Sequence, residues 1–312
     1  MILSPAEDLI VSSVGWTDQS ALRVLETKTG RMEEFVVSEA KYLSVYPGRD
    51  SHFSVLHHYE GARIEITVHS FSDPAKALAR IVFSAQGVAF DGSPPLWEAV
   101  PHAYVAYFVR PSWADFHLFL IDPSRSQAEV LSLDWYDDTY DKGYQGVCEV
   151  AQVPGRPEML FSVQRDSNLV RFDVESRKVV DKIPLADRGG NPRLRFLSTK
   201  HELWATDYDT LVRLAPGTWR VENSLLLQAA GHGMMRLFAG EFAFTPDETL
   251  CVVARPFSGD VVAIDTKSFK VTHACNLGRQ PLAVTILSDG SVFARDWKTG
   301  DLLQGVLKRK WF

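Results

Sequence analysis

The sequence predicts an all-β fold built from seven repeated units, each of four antiparallel strands. Three observations carry that prediction. A short phrase, a hydrophobic strand, a tight turn with Pro or Ser and a second hydrophobic strand, recurs seven times at spacings of 42 to 54 residues. Each copy is followed by a second hairpin with its own turn signal. No segment has a persuasive three-turn helical pattern. A repeat of this period made of strands and turns means radial or linear repetition.

The phrase is clearest at Ile2-Leu3-Ser4-Pro5 before Leu9-Ile10-Val11, and at Phe244-Thr245-Pro246-Asp247 before Leu250-Cys251-Val252. Weaker copies stand at Tyr46-Pro47, Val100-Pro101, Val153-Pro154, Leu197-Ser198 and Leu287-Ser288. The second hairpins read equally plainly. Leu25-Glu26 turns through Thr29-Gly30 into Phe35-Val36. Leu118 to Asp122 turns through Pro123-Ser124 into Val130-Leu131. Val170 to Asp173 turns through Glu175-Ser176 into Val179-Val180, and Val261 to Asp265 turns through Lys267-Ser268 into Val271. β-branched runs bounded by Asp, Ser, Pro and Gly are strand and hairpin signals. Asp122, Asp173 and Asp265 end strands, where a carboxylate accepts turn amides. Pro74 to Arg80 has helical composition, but it is short and lies where a strand is due.

Units are expected at 1–38, 39–84, 85–134, 147–184, 192–227, 240–277 and 281–312, in one domain spanning 1–312. Ile2-Leu3 reads as the first strand of the first unit, and Leu302 to Phe312 as the last strands of the seventh. Each unit is therefore expected to come from one continuous segment.

The 312 residues are 46% hydrophobic and 23% charged, enough to bury a continuous core. A net charge of −6 sets the chain against a generic polyanion, so nucleic-acid binding is not expected. Cys148, Cys251 and Cys275 lie far apart with no paired spacing, which fits free thiols in a reducing compartment. The opening residues lack a basic region followed by an apolar stretch, and no 18 apolar residues run together. A cytoplasmic location without membrane insertion is the expectation.

Four strands per unit and seven units resemble the β-propellers. Ile264-Asp-Thr-Lys-Ser-Phe-Lys-Val-Thr272, followed by Gly278-Arg-Gln-Pro-Leu-Ala-Val284 and Leu287-Ser-Asp-Gly290, is similar to the YVTN-type repeat, over residues 168–295. The Gly-His and Trp-Asp signature of WD40 repeats does not occur. The resemblance implies a seven-bladed β-propeller of four-stranded antiparallel blades. It also implies that loops after the second strands share a face with the connections between blades.

On that face the sequence places Arg110-Pro-Ser-Trp113, Arg165-Asp-Ser-Asn168, Arg255-Pro-Phe257 and Arg295-Asp-Trp297. Blades one, two and five offer Gly15-Trp16, His57-His58-Tyr59 and Asp207-Tyr208. Arginines and aromatics dominate interface hot spots, and guanidinium forks recognise carboxylate or phosphate. Trp16, Tyr59, Arg110, Trp113, Arg255, Phe257, Arg295 and Trp297 are therefore the candidate partner-binding residues here. A plainer reading competes. Glu98, Glu149 and Glu241 start first strands beside Arg110, Arg165 and Arg255, so these pairs would be internal to their blades. Arg295 has Leu282 in that place.

The loop 134–146 packs four aspartates and four aromatics into thirteen residues. Trp135, Tyr136 and Tyr140 join the partner-binding set if it is a recognition element. Its acids suggest Ca²⁺ or another divalent cation instead, although EF-hand spacing is lacking. A loop folded onto its own protein is the third reading. In 228–240, Gly231-His232-Gly233 offers a histidine as a base, while Met234, Met235 and Phe238 suit a plug or rim.

No HExxH, GxSxG, P-loop or GxGxxG motif occurs. Two functional readings result. The first is a non-enzymatic module that binds a protein partner through its loop face, without a cofactor. The second is a metal-assisted hydrolase, lactonase-like, with Glu98, Glu149, Asp207, His232 and Glu241 at a channel mouth.

Overall fold

A computed structural model describes the backbone of residues 1–14, 20–37, 40–47, 51–59, 63–84, 96–100, 103–109, 116–122, 127–133, 147–163, 168–185, 193–227 and 239–309. Within it the strands pair into seven antiparallel sheets. The first holds β1 (Ile2–Leu3), β2 (Leu9–Val14), β3 (Ser20–Glu26) and β4 (Met32–Val37). The second holds β5 (Ala40–Pro47), β6 (His52–Tyr59), β7 (Arg63–Ser70) and β8 (Asp73–Ser84). The third holds β9 (Leu96–Val100), β10 (Ala103–Val109), β11 (Phe116–Asp122) and β12 (Gln127–Leu133). The fourth holds β13 (Val147–Gln152), β14 (Glu158–Val163), β15 (Asn168–Asp173) and β16 (Lys178–Pro184). The fifth holds β17 (Arg193–Leu197), β18 (Glu202–Asp207), β19 (Thr210–Leu214) and β20 (Val221–Leu226).

The sixth sheet is β21 (Phe242–Phe244), β22 (Leu250–Arg255), β23 (Asp260–Asp265) and β24 (Lys270–Asn276). It carries β28 (Lys308–Arg309) as a fifth strand against β24. The seventh has only β25 (Pro281–Ile286), β26 (Ser291–Asp296) and β27 (Leu302–Val306). The expectation of seven four-stranded blades is thus corrected. Among the described residues six sheets have a full set of four strands, and the seventh has three. The cause is local: after Leu307 the chain pairs with β24 instead of folding back along β27. The sixth sheet is also not one continuous segment.

The recurrent phrase has one structural meaning. In five copies the amide of the fourth turn residue donates to the carbonyl of the first: Glu7 to Ser4, Arg156 to Val153, Lys200 to Leu197, Glu248 to Thr245 and Gly290 to Leu287, at 2.8–3.3 Å. The Ser4 and Thr245 side chains reinforce it by accepting the Leu9 and Leu250 amides at 3.0 Å. The second hairpins share a wider turn. Gly30, Trp219 and Phe269 donate to Glu26, Ala215 and Asp265 at 2.9 Å, each with φ between 54° and 71°, and in the β26–β27 turn Gly300 donates likewise to Asp296 at 3.0 Å. That left-handed conformation suits Gly and strains Trp219 and Phe269. Asp265 accepts the Ser268 amide at 2.6 Å, the turn role its position predicts.

Compact units divide the chain. One comprises Met1–Gln152 with Val174–Ser176, the other Val153–Asp173 with Arg177–Phe312. In the first, Val11, Leu22 and Val24 pack with Leu43, Val45, Phe53 and Val55. In the second, alternation along β22 splits the core: Cys251 and Val253 join Trp204 and Phe269, while Val252 and Ala254 join Val284 and Val292. Both faces of β22 are buried, so its sequence is a continuous apolar run rather than an alternating one. Cys251 and Cys275 are buried free thiols, as expected, and burial pushes both thiol pKa values up. No described helix is long and apolar enough to cross a membrane.

Candidate functional site

Three loops in the second unit collect the aromatic and arginine residues that the sequence marks. The β18–β19 turn presents Tyr208, exposed and with φ of 50°. Asp207 and Asp209 on either side are buried, and Asp209 accepts from the Thr210 hydroxyl at 3.2 Å. In the β22–β23 turn the amides of Ser258 and Gly259 donate to Arg255 O at 3.1 Å. Gly259 has φ of 70° and packs its Cα on Arg279, where a Cβ would meet the Arg279 carbonyl at 3.1 Å.

Arg255 is gripped by Asp260 across that turn. Nε donates to Oδ1 at 2.8 Å and a second nitrogen reaches Oδ2, a bidentate pair with both side chains largely buried. Asp260, opposite Arg255 in the β22–β23 register, is thus a partner that the sequence did not mark.

Phe257 and Trp297 come from adjacent sheets and meet edge to face, with centroids 5.9 Å apart at 76°. Trp297 remains 45% exposed. Its loop is fixed from below by Asp296. That buried carboxylate accepts the amides of Lys298 and Thr299 at 2.9 Å and of Gln280 at 3.0 Å. Burial pushes the Asp296 pKa up, but these amides outweigh it and hold the carboxyl below its usual range. The Trp297 amide donates to Gln280 O at 2.8 Å. The loop is a rigid platform for an exposed indole.

Glu241 stands where the chain enters β21. Its amide donates to Leu282 O at 2.7 Å, and its carbonyl accepts from the Ala254 amide at 3.1 Å. The preceding Gly240 has no room for a side chain, since a Cβ would lie 2.5 Å from Leu282 O. Burial raises the Glu241 pKa, yet positive charge that includes Arg193, Arg195 and Arg295 brings it below the usual value. Arg295, which the sequence marked as lacking a glutamate neighbour, thus acts on Glu241. Arg193 and Arg195 were not anticipated. The signal was available, because an Arg-x-Arg on a strand puts both side chains on one face.

In the first unit, Tyr59 closes β6 instead of standing free. Its hydroxyl donates to Glu65 at 3.3 Å, Arg63 lies 4.5 Å over its ring, and His57 stacks on it. Glu149 is buried on β13. Trp16, Arg110, Trp113, Trp135, Tyr136, Tyr140, His232, the whole 134–146 loop and the Glu98 side chain lie outside the described residues. Among described residues, no three His, Cys, Asp or Glu side chains gather to hold a metal.

Neither a family model nor a curated protein matches the chain. Solved structures do. The chain is similar to the β-propeller domain of Myceliophteria thermophila Cps50 (Swd1), with a TM-score of 0.73 over 98% of this chain and 95% of that one, at 12% identity. The fold is a β-propeller. The periplasmic gluconolactonase PpgL of Pseudomonas aeruginosa is also similar, with a TM-score of 0.67 over 97% of this chain and 98% of that one, at 13% identity. Identities this low carry the propeller architecture and nothing about activity.

Proposed function

We propose that this propeller is a non-enzymatic interaction module that takes a protein partner on the loops of its fifth, sixth and seventh sheets. The observation that carries the reading is the Phe257–Trp297 pair. It is an edge-to-face aromatic platform on two fixed loops, half open to solvent, with Arg255 and Arg295 on the strands leading into it. Rigid aromatics give contact area at low entropic cost, and the arginines, held by acids of this chain, brace the strands beneath them. The partner in this reading is a protein segment with an apolar or aromatic anchor, bound without a cofactor. A cytoplasmic setting suits the free thiols of Cys251 and Cys275.

The positive charge that lowers the Glu241 pKa, Arg193, Arg195 and Arg295 among it, weighs against a divalent cation there by repulsion. The hydrolase reading therefore ranks second.

The test is affinity capture from native lysate with the wild type and with Phe257→Ala/Trp297→Ala, read by mass spectrometry. One stoichiometric protein lost with the double variant, at an unchanged melting temperature, supports the reading. Capture that survives the substitutions removes this platform as the binding surface.

A further inference from the structure

Two buried histidines of the second sheet share one hydroxyl. Thr67 Oγ1 on β7 lies 2.8 Å from His57 Nε2, 2.8 Å from His69 Nε2 and 3.5 Å from the Val55 carbonyl. Thr67 is buried with both imidazoles. A hydroxyl has one hydrogen to give and two lone pairs to receive with. Its three neighbours therefore admit two complete arrangements, and the two differ by one proton.

In the first, His69 is neutral. Its Nδ1 faces the Pro74 carbonyl at 3.0 Å, so the proton sits there and Nε2 accepts the Thr67 hydrogen. In the second, His69 is protonated on both nitrogens. Nδ1 still donates to Pro74, Nε2 now donates to Thr67, and Thr67 gives its hydrogen to Val55 O. No bond is lost and one is gained. His57 has no such alternative, because its buried Nδ1 has no partner to accept from it.

The surroundings also distinguish the two rings. His69 stacks on Phe53, with centroids 5.2 Å apart at 13°, and an aromatic face favours a cation. Asp73, at the start of β8, adds negative charge beside it. On His57, Glu65 acts for a proton and Arg80 against it. Glu65 is itself held by Arg63 at 3.3 Å and Arg80 at 2.6 Å, with the Tyr59 hydroxyl on the same carboxylate. The core that β5 and the first sheet bring against β6 is apolar, Leu22, Val24, Leu43 and Val45 among it.

We infer that His57, Thr67 and His69 form a one-proton switch, in which His69 takes the proton and the Thr67 hydroxyl turns from His69 to the Val55 carbonyl. The proton thereby adds a bond from β7 to the β6 backbone. It also makes the His69–Pro74 bond to β8 charge-assisted. Burial lowers the His69 pKa and outweighs Pro74 and Asp73, which raise it, so the switch turns below pH 6.5. It turns before His57, whose pKa is about 4. Because the folded pKa is the lower one, the unfolded chain protonates first and stability declines as the pH falls below 6.5.

The test is a set of proton–nitrogen correlation spectra of the full chain with isotope-labelled histidine, from pH 7 to 4.5. His69 should pass from a proton on Nδ1 alone to protons on both nitrogens. His57 should keep its proton on Nε2 and a bare Nδ1 throughout. Thr67→Val removes the acceptor that the charged ring needs, and should lower the His69 midpoint by about one pH unit or more. Thr67→Ser, which keeps the hydroxyl, should restore it.

A His57 that gains its second proton before His69 overturns the inference. So does a neutral His69 with its proton on Nε2, or two rings that stay singly protonated down to pH 4.5. An unchanged His69 midpoint in Thr67→Val would show that the hydroxyl is only structural, and would overturn it equally. Should that variant fail to fold, the wild-type spectra decide alone.

Discussion

His57 Nε2 lies 2.8 Å from Thr67 Oγ1, and that bond assigns the tautomer of a buried histidine. His69 Nδ1 faces the Pro74 carbonyl at 3.0 Å, so it carries the proton and leaves His69 Nε2 to accept from Thr67 Oγ1 at 2.8 Å. The Thr67 hydroxyl has then spent its one hydrogen, so His57 must donate to it from Nε2. His57 Nδ1 is a buried lone pair with no hydrogen-bond partner.

The pH dependence of stability follows. Burial, opposed by the Glu65 carboxylate and assisted by His69 and Arg80, lowers the His57 pKa from 6.5 to about 4. Below pH 6.5 the unfolded chain takes up a proton that the folded chain refuses, so stability falls with pH until about pH 4. The total is about 3 kcal/mol. Glu241 adds to the trend at the acid end, since its lowered carboxyl stabilises above pH 4.5 and ceases to as it protonates. Denaturant unfolding from pH 7 to 4.5 should show this decline, and His57→Gln should flatten it. An equally steep decline in His57→Gln would assign the effect elsewhere.

Two tryptophans should behave oppositely. Trp204 is fully buried, edge-on to Phe244 at 5.4 Å and to Phe269 at 4.9 Å. Trp204→Ala should cost about 3–5 kcal/mol. Trp297→Ala, at a half-exposed ring, should cost under about 1 kcal/mol. Thermal melts of the two variants check the pair.

Two glycines are tight for different reasons, and only one is rescuable. Gly240→Ala drives a Cβ against the backbone carbonyl of Leu282, which cannot withdraw. Gly305→Ala drives one against the Cys275 sulfur. Each should cost about 1–3 kcal/mol. Cys275→Ala should recover most of the Gly305→Ala loss and none of the Gly240→Ala loss, measured as coupling in a double-mutant cycle.

Glu248 fastens the sixth sheet to the fifth. Its carboxylate accepts the amides of Ser198 at 2.7 Å and Thr199 at 2.8 Å, as well as the Thr199 hydroxyl at 2.5 Å. Glu248→Ala should cost about 1–2 kcal/mol. Burial raises the Glu248 pKa, but the bonds from Thr199 and Ser198 prevail and lower it. The wild-type advantage should therefore be present above pH 4.5 and fade as pH falls below it. Urea midpoints at pH 7 and pH 3.5 check this.

The repeat was legible because each turn is a local event. The Ser4-Pro5 and Thr245-Pro246 phrases close β-turns within four residues, and Asp265 caps the turn that follows it. The Phe257–Trp297 loops were legible for the same reason, as residues at equivalent points of successive repeats. That Asp260 grips Arg255 was not legible, because it depends on the β22–β23 register that brings the two opposite. The Arg193–Arg195 contribution to Glu241 crosses sheets, which a repeat pattern does not report.

By itself the sequence determined the all-β class, the strand and turn grammar, the free buried thiols and the residues of the exposed loops. All of these follow from spacing and side-chain type over a few residues. Only the tertiary structure decided the three-stranded seventh sheet, the pairing of Arg255 with Asp260 and the burial of the His57–Thr67–His69 chain. The reason is physical: Lys308 suits either strand position equally in local propensity. The choice between them depends on how closely Gly305 lets the chain approach Cys275, a contact between residues thirty positions apart.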